Sequence, residues 1–526
     1  RYSDRGKYRI IVLHSSMSSS DKDQRLAFEI PPKGVRKIVI ATNIAETGVT
    51  IPDVTYVIDS ARVNLIGYDY KRGMKSLEEK FVSQASALQR QGRAGRVCPG
   101  ICFRLISNEM FDSLDKYSAP EIMRVPLNDT CLTIMVSFKE SPLRYLSEAL
   151  DVPRPDAVED AISTLEHVGA LSVFEPDSYD EEILDNAFQI GDLCYTVTPL
   201  GKLLSRLPLD VKLAKMLILA YIFKCMDPML TIAASFGQKS PFPSGLDNEN
   251  KLIDFRWGDS DLLPVHKCFK LWQECKGNNG RRAFAKKNKV DNNVLVSIER
   301  ARKDLVRQFE SINLRIDQKQ ENVMNTSDEL ASLLSSVLFA AFGNLARVDI
   351  LASPSEKDRF SSSAPPVARN TAHPDKDVQY MCKEGVVSLF PGSVNYGRGK
   401  GVLSPSRPGN KRTQWVTYLE KMKTSRVFLR DTSFVPPAAI ALFGNNVNIY
   451  HGERCLVVND WVSLQAAPRT AVLLNVLQES LNGTLERIFL NATGYGRKET
   501  NTNKDVVDIE ILSLITSLLV DSDMQQ

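Results

Sequence analysis

The segment that decides the fold reads KIVIATNIAETGVT and spans Lys37–Thr50. Its first half is a run of Ile and Val, which is typical of a strand buried in a parallel sheet. Its second half begins with Thr42 and Asn43, whose hydroxyl and amide groups would follow the carboxyl end of that strand. Because α/β sheets usually bind ligands at this end of their strands, the segment predicts a ligand site.

Three further apolar runs resemble this strand, namely Tyr8–Leu13, Thr55–Asp59 and Ile101–Ile106. The segments Asp21–Phe28 and Ser86–Gln91 are polar and compatible with helices. Buried strands that alternate with helices predict a parallel α/β domain built from βαβ units.

A second distinctive segment, QRQGRAGR, lies further along the same domain at Gln89–Arg96. Arg93 and Arg96 are three residues apart, so a helix would project them on one face. Cations placed in this way can stabilise the charge that develops on a γ-phosphate during phosphoryl transfer. Taken alone, the segment has a second interpretation, a solvated basic helix start that binds a carboxylate.

Together, ATNIAETGVT and QRQGRAGR resemble motifs V and VI of the DEAH/RHA-type RNA helicases of superfamily 2, in the order and spacing of that family. The resemblance implies that Arg93 and Arg96 are arginine fingers and that Gln89 contacts the γ-phosphate or the attacking water. It also implies that Gly48 and Asp53 belong to the nucleotide site. The family often has Ser where Gly48 stands, and a glycine has no side chain with which to sense the nucleotide.

The resemblance also implies where RNA binds. Thr42 would contact the nucleic-acid backbone with Asn43 nearby, and Glu46 would couple that contact to the ATP cleft. Ser15, in the loop LHSSMSSSDKDQ, would touch an RNA phosphate, although these serines have an alternative role as caps of the following helix. The segment Gly67–Val82 matches a β-hairpin beside the RNA channel, and the alternative is an ordinary surface hairpin.

A basic run, RRAFAKKNK, begins at Arg281. Clustered cations with an aromatic residue suit a phosphate-lined channel or ribosomal RNA, so we predict RNA contacts at Arg281, Arg282, Lys286 and Lys287. The alternative is a solvated face of a helix.

The order of elements predicts a multidomain α/β + α + β protein. The expected domains are a second RecA-like domain (1–125, with motifs V and VI), a winged helix (126–197), a helical ratchet domain (198–344), an OB-fold barrel (345–450) and a C-terminal extension (451–526). The segment Ser353–Asp377 is rich in serine, proline and charge, which predicts a mobile loop. The barrel is expected from four strand-like runs, Gly385–Phe390, Trp415–Leu419, Arg426–Leu429 and Ala438–Phe443.

The composition restricts the functional classes. The 526 residues are 43% hydrophobic and 25% charged, which excludes wholesale disorder. The net charge of +3 gives no global basic field, so any contact with RNA must come from local arrangement. The nine cysteines form no CxxC pair, which argues against a zinc site and for a reducing compartment. The most apolar stretch, Met216–Phe223, is too short to span a bilayer, so no membrane partner is expected.

Neither a GxxxxGK[ST] motif nor a DEAH tetrad occurs in the sequence. We therefore expect this chain to be the C-terminal half of a helicase, with ATP and Mg²⁺ held mainly by an N-terminal RecA-like domain outside it. On this interpretation the chain alone does not hydrolyse ATP.

Three functions remain open at this point. The first is an RNA-dependent ATPase that moves 3′-to-5′ and remodels structured RNA or ribonucleoprotein, ribosomal initiation complexes included. Its partners would be RNA, the small ribosomal subunit and initiation factors, because His451–Arg454 and Asp460–Val462 resemble the translation-associated RHA-like subgroup. It would be cytoplasmic, with nuclear and mitochondrial locations left open. The second is a degenerate helicase that serves as a structural RNA- or ribosome-binding module, and the third is a DNA-directed helicase.

Overall fold

The computed structural model describes residues 4, 6–13, 26–48, 50–69, 74–95, 99–174, 187–190, 193–236, 238–242, 254–312, 314, 328–350, 378–396, 414–424, 426–493 and 502–521. Its architecture confirms the expected multidomain α/β + α + β fold class. The five domain boundaries stay predictions.

The strands are β1 (Tyr8–Leu13), β2 (Arg36–Ala41), β3 (Tyr56–Asp59), β4 (Arg62–Asp69), β5 (Met74–Phe81), β6 (Ile101–Arg104), β7 (Leu171–Phe174), β8 (Ala187–Ile190), β9 (Leu193–Val197), β10 (Leu345–Ile350), β11 (Val378–Cys382), β12 (Gly385–Leu389), β13 (Gln414–Lys423), β14 (Val427–Phe434), β15 (Asn448–Tyr450), β16 (Cys455–Val458) and β17 (Val462–Gln465).

The α-helices are α1 (Ile44–Thr47), α2 (Gln84–Gln91), α3 (Asn108–Asp112), α4 (Asn128–Thr133), α5 (Pro142–Ser147), α6 (Pro155–Val168), α7 (Pro199–Leu204), α8 (Val211–Ile222), α9 (Met226–Phe236), α10 (Leu263–Glu274), α11 (Gly277–Asn288), α12 (Asn292–Ser311), α13 (Asp328–Phe342), α14 (Pro437–Phe443), α15 (Pro468–Thr493) and α16 (Thr502–Asp521).

The first domain contains two parallel strand pairs, β1 with β2 and β3 with β6. Ile11 and Leu13 of β1 are buried against Ala27, which anchors the first pair. Within the described ranges no hydrogen-bond ladder joins β2 to β3, so the expected parallel strands form two pairs and not one continuous sheet. The carboxyl ends of β2 and β3 lead into the segments that carry the candidate site.

The segment around β4 and β5 is an antiparallel hairpin, paired from Arg62 opposite Phe81 to Asp69 opposite Met74. Its turn, near Gly73, lies outside the described residues. Strand β5 also pairs in parallel with β13, so the hairpin extends the sheet of the barrel and not that of its own domain.

The region predicted to be a winged helix contains α4, α5 and α6 and the three-stranded sheet β7-β9-β8. Helix α6 begins with Pro155 at its first position and ends at Gly169, whose positive φ of 83° suits a glycine. Its buried residues recur at helical spacing, as in Ala157, Ala161 and Leu165, and they pack into the largest core.

The helices of the predicted ratchet domain, α7 to α13, share that core with the C-terminal helices α15 and α16. Helix α8 is buried along most of its length because apolar residues occupy nearly all sides of it. Its N-terminus is capped by Asp210, whose carboxylate accepts a hydrogen bond from the backbone N–H of Lys212 over 2.9 Å.

The barrel consists of β10-β11-β12-β14-β13 and is closed by pairing of β10 with β13. One predicted strand is wrong, because Ala438–Phe443 forms most of helix α14. The physical reason is that Pro437 occupies the first helical turn and that four consecutive residues, Ala439 to Leu442, are all buried. A short run buried on every side cannot be assigned to strand or helix by periodicity. The predicted loop Ser353–Asp377 lies outside the described residues.

Candidate functional site

The first part of the site is the turn from β2 into α1. The backbone N–H of Thr42 donates to the carbonyl of Leu13 over 3.1 Å, which ties this turn to the end of β1. Asn43 stands at the N-cap position of α1 but makes no side-chain capping bond there. The side chains of Thr42 and Asn43 are exposed, so both can reach a ligand beyond the strand ends.

The second part is helix α2 and the turn after it. Ser83 caps the helix by accepting a hydrogen bond from the N–H of Ser86 over 3.2 Å. After the helix ends, the guanidinium Nη2 of Arg93 donates to the backbone carbonyl of Glu46 in α1. The two sequence motifs therefore touch directly.

Gly100 allows the chain after α2 to return close to β3. A Cβ atom at this position would lie 2.2 Å from the carbonyl oxygen of Ala94 and 2.7 Å from that of Thr55. Any side chain here would push the turn that carries Arg93 away from the sheet.

Arg90 is the central residue of the site, and sequence reasoning missed it. Its Nε donates to Glu46 Oε2 over 3.0 Å, and its Nη1 donates to Asp59 Oδ1 over 2.9 Å and to the carbonyl of Arg62 over 3.2 Å. Burial opposes the charge on Arg90, but the hydrogen bonds to Asp59 and Glu46 outweigh it and raise its pKa. Arg90 lies in α2, whereas Arg93 lies in the turn that follows Gln91, so the expectation that a helix carries Arg93 is wrong.

Asp59 is the other buried charge of this network. Its side chain is 2% exposed, and Oδ1 also accepts from the backbone N–H of Ala61 over 2.9 Å. Its Oδ2 faces Arg104 Nε at 4.0 Å, beyond hydrogen-bond distance. Asp59 thus depends mainly on Arg90 for neutralisation, and Arg90 fixes α2 to α1, β3 and β4 at once.

The remaining predicted nucleotide residues lie apart from this network. Gln89 is exposed on α2. Gly48 closes α1 with ordinary helical φ and ψ values of −75° and −25°, so its position does not require a glycine. Asp53 pairs with the ammonium of Lys37, which also donates to the carbonyl of Ala27 over 2.9 Å. Arg96 lies outside the described residues.

Asp53 therefore has a structural contact that the sequence did not reveal. The side chain of Lys37 is 6% exposed, and the carboxylate of Asp53 compensates its charge. A role for Asp53 in nucleotide binding stays a prediction.

The predicted RNA contacts fall on separate elements. Arg282, Lys286 and Lys287 are exposed on α11, and their side chains make no hydrogen bond or ion pair with any described residue. Arg281 differs, because it pairs with Glu299 over 3.4 Å and its guanidinium lies 4.4 Å from the centre of the Trp272 ring. Ser15 lies outside the described residues.

The donor set fits the phosphate end of a nucleotide. Arg93 and Gln89 offer a cation and an amide at one end of α2, which suits phosphate oxygens. Mg²⁺ requires oxygen ligands, and the described ranges contain no group of three or more His, Cys, Asp or Glu residues arranged to hold a metal ion. Among those same ranges, no helix has the length and apolarity needed to cross a membrane.

Three family models match the chain. The Helicase conserved C-terminal domain matches residues 1–98, the Helicase associated domain (HA2), ratchet-like, matches 210–294, and the Oligonucleotide/oligosaccharide-binding (OB)-fold matches 359–447. The first contains α1 and α2, the second contains α8 and α11, and the third contains most of the barrel strands.

Similar curated proteins are named as helicases. The chain is 34% identical to ATP-dependent RNA helicase dhx29 from Xenopus laevis, over 99% of this chain and 35% of the relative. It is 35% identical to Putative ATP-dependent RNA helicase DHX57 from Homo sapiens, over 92% of this chain and 35% of the relative. It is 30% identical to ATP-dependent DNA/RNA helicase DHX36 from Bos taurus, over 98% of this chain and 46% of the relative. The chain thus spans between a third and a half of these relatives.

Proposed function

Because the chain belongs to the DEAH/RHA-type helicases, in which its domains make up the C-terminal half, we propose that it supplies the arginine fingers and part of the RNA path of an ATP-dependent RNA helicase. The P-loop and the Mg²⁺ ligands would come from a RecA-like domain that this sequence does not contain.

One observation carries the proposal, the contact between Arg93 and the backbone carbonyl of Glu46. Glu46 belongs to the short helix that begins directly after Thr42 and Asn43. A movement of Arg93 at the nucleotide is therefore transmitted to the RNA contacts through four residues of backbone. Arg90 makes this unit rigid because it holds the side chain of Glu46 at the same time.

The proposed reaction is the hydrolysis of ATP, in which the cationic side chains would stabilise negative charge on the transferred phosphoryl group. Bound ATP with Mg²⁺ supplies the γ-phosphoryl group that is transferred to water. Arg93 and Arg96 stabilise the negative charge of the transition state, and Gln89 holds the water or a γ-phosphate oxygen. When the phosphate leaves, the guanidinium of Arg93 loses its ligand, and Thr42 and Asn43 shift their hold on the RNA backbone.

The remaining domains would enclose the RNA and set the direction. We propose 3′-to-5′ movement along RNA that passes the hairpin, the winged helix, the ratchet domain and the barrel. The contacts are backbone-directed and therefore tolerant of sequence and sensitive to salt. The substrates would be structured RNA or ribonucleoprotein, with ribosomal initiation complexes and their factors as partners and the cytoplasm as the location.

The test is RNA-stimulated ATP hydrolysis by the helicase that contains this chain. We expect Arg93→Ala to abolish turnover, because arginine fingers contribute about 10³–10⁵ to the rate, while RNA affinity changes only a few-fold. Arg62→Ala, which removes an exposed arginine of the same domain, is the control and should hydrolyse ATP normally. Turnover at the wild-type rate in Arg93→Ala would contradict the proposal. The direction of movement is tested by unwinding of RNA duplexes. Movement from 3′ to 5′ predicts that duplexes with a 3′ overhang are unwound and that those with a 5′ overhang are not.

Gly48 favours a second candidate, an RNA-binding module without motor activity. A glycine has no hydroxyl with which to sense the nucleotide, so RNA binding without hydrolysis is a consistent outcome. The same assay separates the two functions, since the module predicts RNA affinity in the wild type with no ATP turnover.

A further inference from the structure

The hairpin of β4 and β5 forms an arm whose base lies in the candidate site. Ala61 ties this base to β3, because its N–H donates to Asp59 Oδ1 and its carbonyl accepts from the N–H of Val82, both over 2.9 Å. The carbonyl of Arg62, the first residue of β4, accepts from Arg90 Nη1 over 3.2 Å. The buried network around Arg90 therefore holds the base of the arm.

The arm continues directly into helix α2. Strand β5 ends at Phe81, and Ser83 already caps the helix. The ladder between β4 and β5 runs along the whole length of both strands, which stiffens the arm. Lys75, near the far end of the arm, precedes Ser83 by eight residues, a distance of about 27 Å along an extended strand. A displacement at that end is therefore carried along β5 to α2.

The far end of the arm is anchored to the barrel. Lys75 Nζ donates to Glu420 Oε1 of β13 over 2.5 Å, and the two side chains are 37% and 27% exposed. Next to this ion pair, Lys75 and Ser76 pair in parallel with Met422 and Lys423. Among the described strands, no other ladder joins the first domain to the barrel. The ion pair thus lies at the point where a movement of the barrel would reach the hairpin.

The arm is not packed along the side that faces the region predicted to be a winged helix. A polar cavity of about 350 Å³ lies there, lined by hairpin residues of both charges together with Arg154 and Asp156. Tyr68, which also lines the cavity, donates a hydrogen bond to the carboxylate of Asp160 on α6. Because a cavity offers few packing contacts, the position of the arm depends mainly on its two anchored ends.

The charges around the anchor make it sensitive to substitution. Lys75 and Glu420 both interact electrostatically with the buried carboxylate of Asp431. A glutamate in place of Lys75 would therefore face two carboxylates of the barrel and lose its hold on β13. A partly exposed ion pair contributes little to folding, so the anchor can be broken without unfolding the protein.

We propose that Lys75 and Glu420 are positioning residues that couple the barrel to the nucleotide contacts through the hairpin. The inference rests on the proposed function and adds a route by which RNA regulates ATP hydrolysis. RNA that binds along the barrel displaces β13, and the ion pair carries the displacement to β5. Strand β5 carries it to α2, where Arg90 and the turn with Arg93 respond.

The experiment compares ATP hydrolysis with and without RNA by the helicase that contains this chain. We expect Lys75→Glu to lower the ratio of kcat with RNA to kcat without RNA by at least about fivefold, the lower end of typical coupling between sites, with an unchanged KM for ATP. Glu420→Lys should have the same effect. The double variant should restore the ratio, because it re-forms the ion pair with exchanged charges.

The charge-matched control is Glu79→Lys, which breaks an exposed ion pair with Arg62 on the same hairpin and should keep the wild-type ratio. The proposal is overturned if the single variants keep the wild-type ratio, if Glu79→Lys lowers it equally, or if the double variant does not restore it. A wild-type helicase whose ATP hydrolysis does not respond to RNA would instead contradict the proposed function, and this inference with it.

Thermal unfolding separates coupling from a structural role. We expect the Tm of Lys75→Glu and of Glu420→Lys to stay at the wild-type value, because the pair is partly exposed. Amide hydrogen exchange at Lys75 and Ser76 should become faster in both, since the end of the arm is released. A clear fall in Tm, or exchange at the wild-type rate, would overturn the proposal.

Discussion

Arg90 in α2 and Glu46 in α1 form an ion pair in which Nε donates to Oε2 over 3.0 Å. The backbone carbonyl of the same glutamate accepts from Arg93. Glu46 is therefore held by α2 and by the turn that follows it, where the proposed nucleotide contacts lie. This arrangement joins α1 and α2, so the proposed RNA contacts and the proposed nucleotide contacts would move together.

The first prediction concerns Arg90. We expect Arg90→Ala to destabilise the domain by about 3–5 kcal/mol, because it leaves the carboxylate of Asp59 buried without its main partner. The measurement is the first transition in denaturant unfolding. Arg62→Ala breaks the pair with Glu79, in which both side chains are about half exposed, and should cost less than about 1 kcal/mol. Equal effects of the two variants would contradict the central role of Arg90.

Much of the site could be predicted from the sequence because it lies in short segments with fixed spacing. Thr42 follows the apolar strand β2, as its run of Ile and Val predicts, although no residue of that strand is fully buried. Arg90 was missed because its role depends on Asp59, which the fold brings beside it from a different strand. Asp53 likewise meets Lys37 only through tertiary structure.

Some features of the fold could not be predicted from the sequence for the same reason, because they depend on tertiary structure. The helical segments were recognised from apolar spacing, but α14 was predicted as a strand because its short apolar run is buried on all sides. The parallel pairing of β5 with β13 could not be predicted either, since no local pattern encodes the approach of a hairpin to a barrel far along the chain.

The second prediction concerns the exposed cations of α11. We expect Lys286→Glu with Lys287→Glu to weaken RNA binding and to lower the salt slope by about 1.4, or about 0.7 for each lost phosphate contact. Helix α11 should remain folded because both side chains are exposed. Lys303→Glu on α12 reverses one exposed charge and is the control for each lysine of the pair. An unchanged slope of log affinity against log salt in the double variant would contradict the RNA contact. It would mean that the basic residues of α11 form a solvated helix face.

The third prediction concerns Gly48. A Cβ atom here would lie 3.1 Å from the carbonyl oxygen of Ile44, a tight contact that small adjustments can relieve, and the φ of −75° suits any residue. We expect Gly48→Ser in the helicase that contains this chain to fold and to increase RNA stimulation of ATP hydrolysis by at least about fivefold, the lower end of typical coupling between sites. Gly452→Ser, at an open position in the extension, is the control. Unchanged stimulation of ATP hydrolysis by RNA would mean that a hydroxyl at this position does not respond to the bound nucleotide.

The last prediction concerns pH and the barrel. Burial, followed by the neighbouring charge of Asp261, raises the pKa of Asp431 to about 6. Glu420 also raises it, whereas Arg430 and Lys75 lower it. An unfolded aspartate ionises near pH 3.9, so between about pH 4 and 6 the unfolded state releases this proton first. Folding stability is therefore lost as pH rises through this window, by about 3 kcal/mol in all.

Asp431→Asn removes this loss and keeps the backbone conformation, since φ is +56° at Asp431 and asparagine adopts left-handed conformations readily. We expect the Tm of the variant to exceed that of the wild type by a margin that grows from about pH 4 to about pH 6 and then levels off. Asp460→Asn is the matched control, because Asp460 is also left-handed, with a φ of 66°, but is exposed. A margin that stays constant with pH would show that Asp431 is ionised in the folded state at no cost, which its burial beside Asp261 argues against.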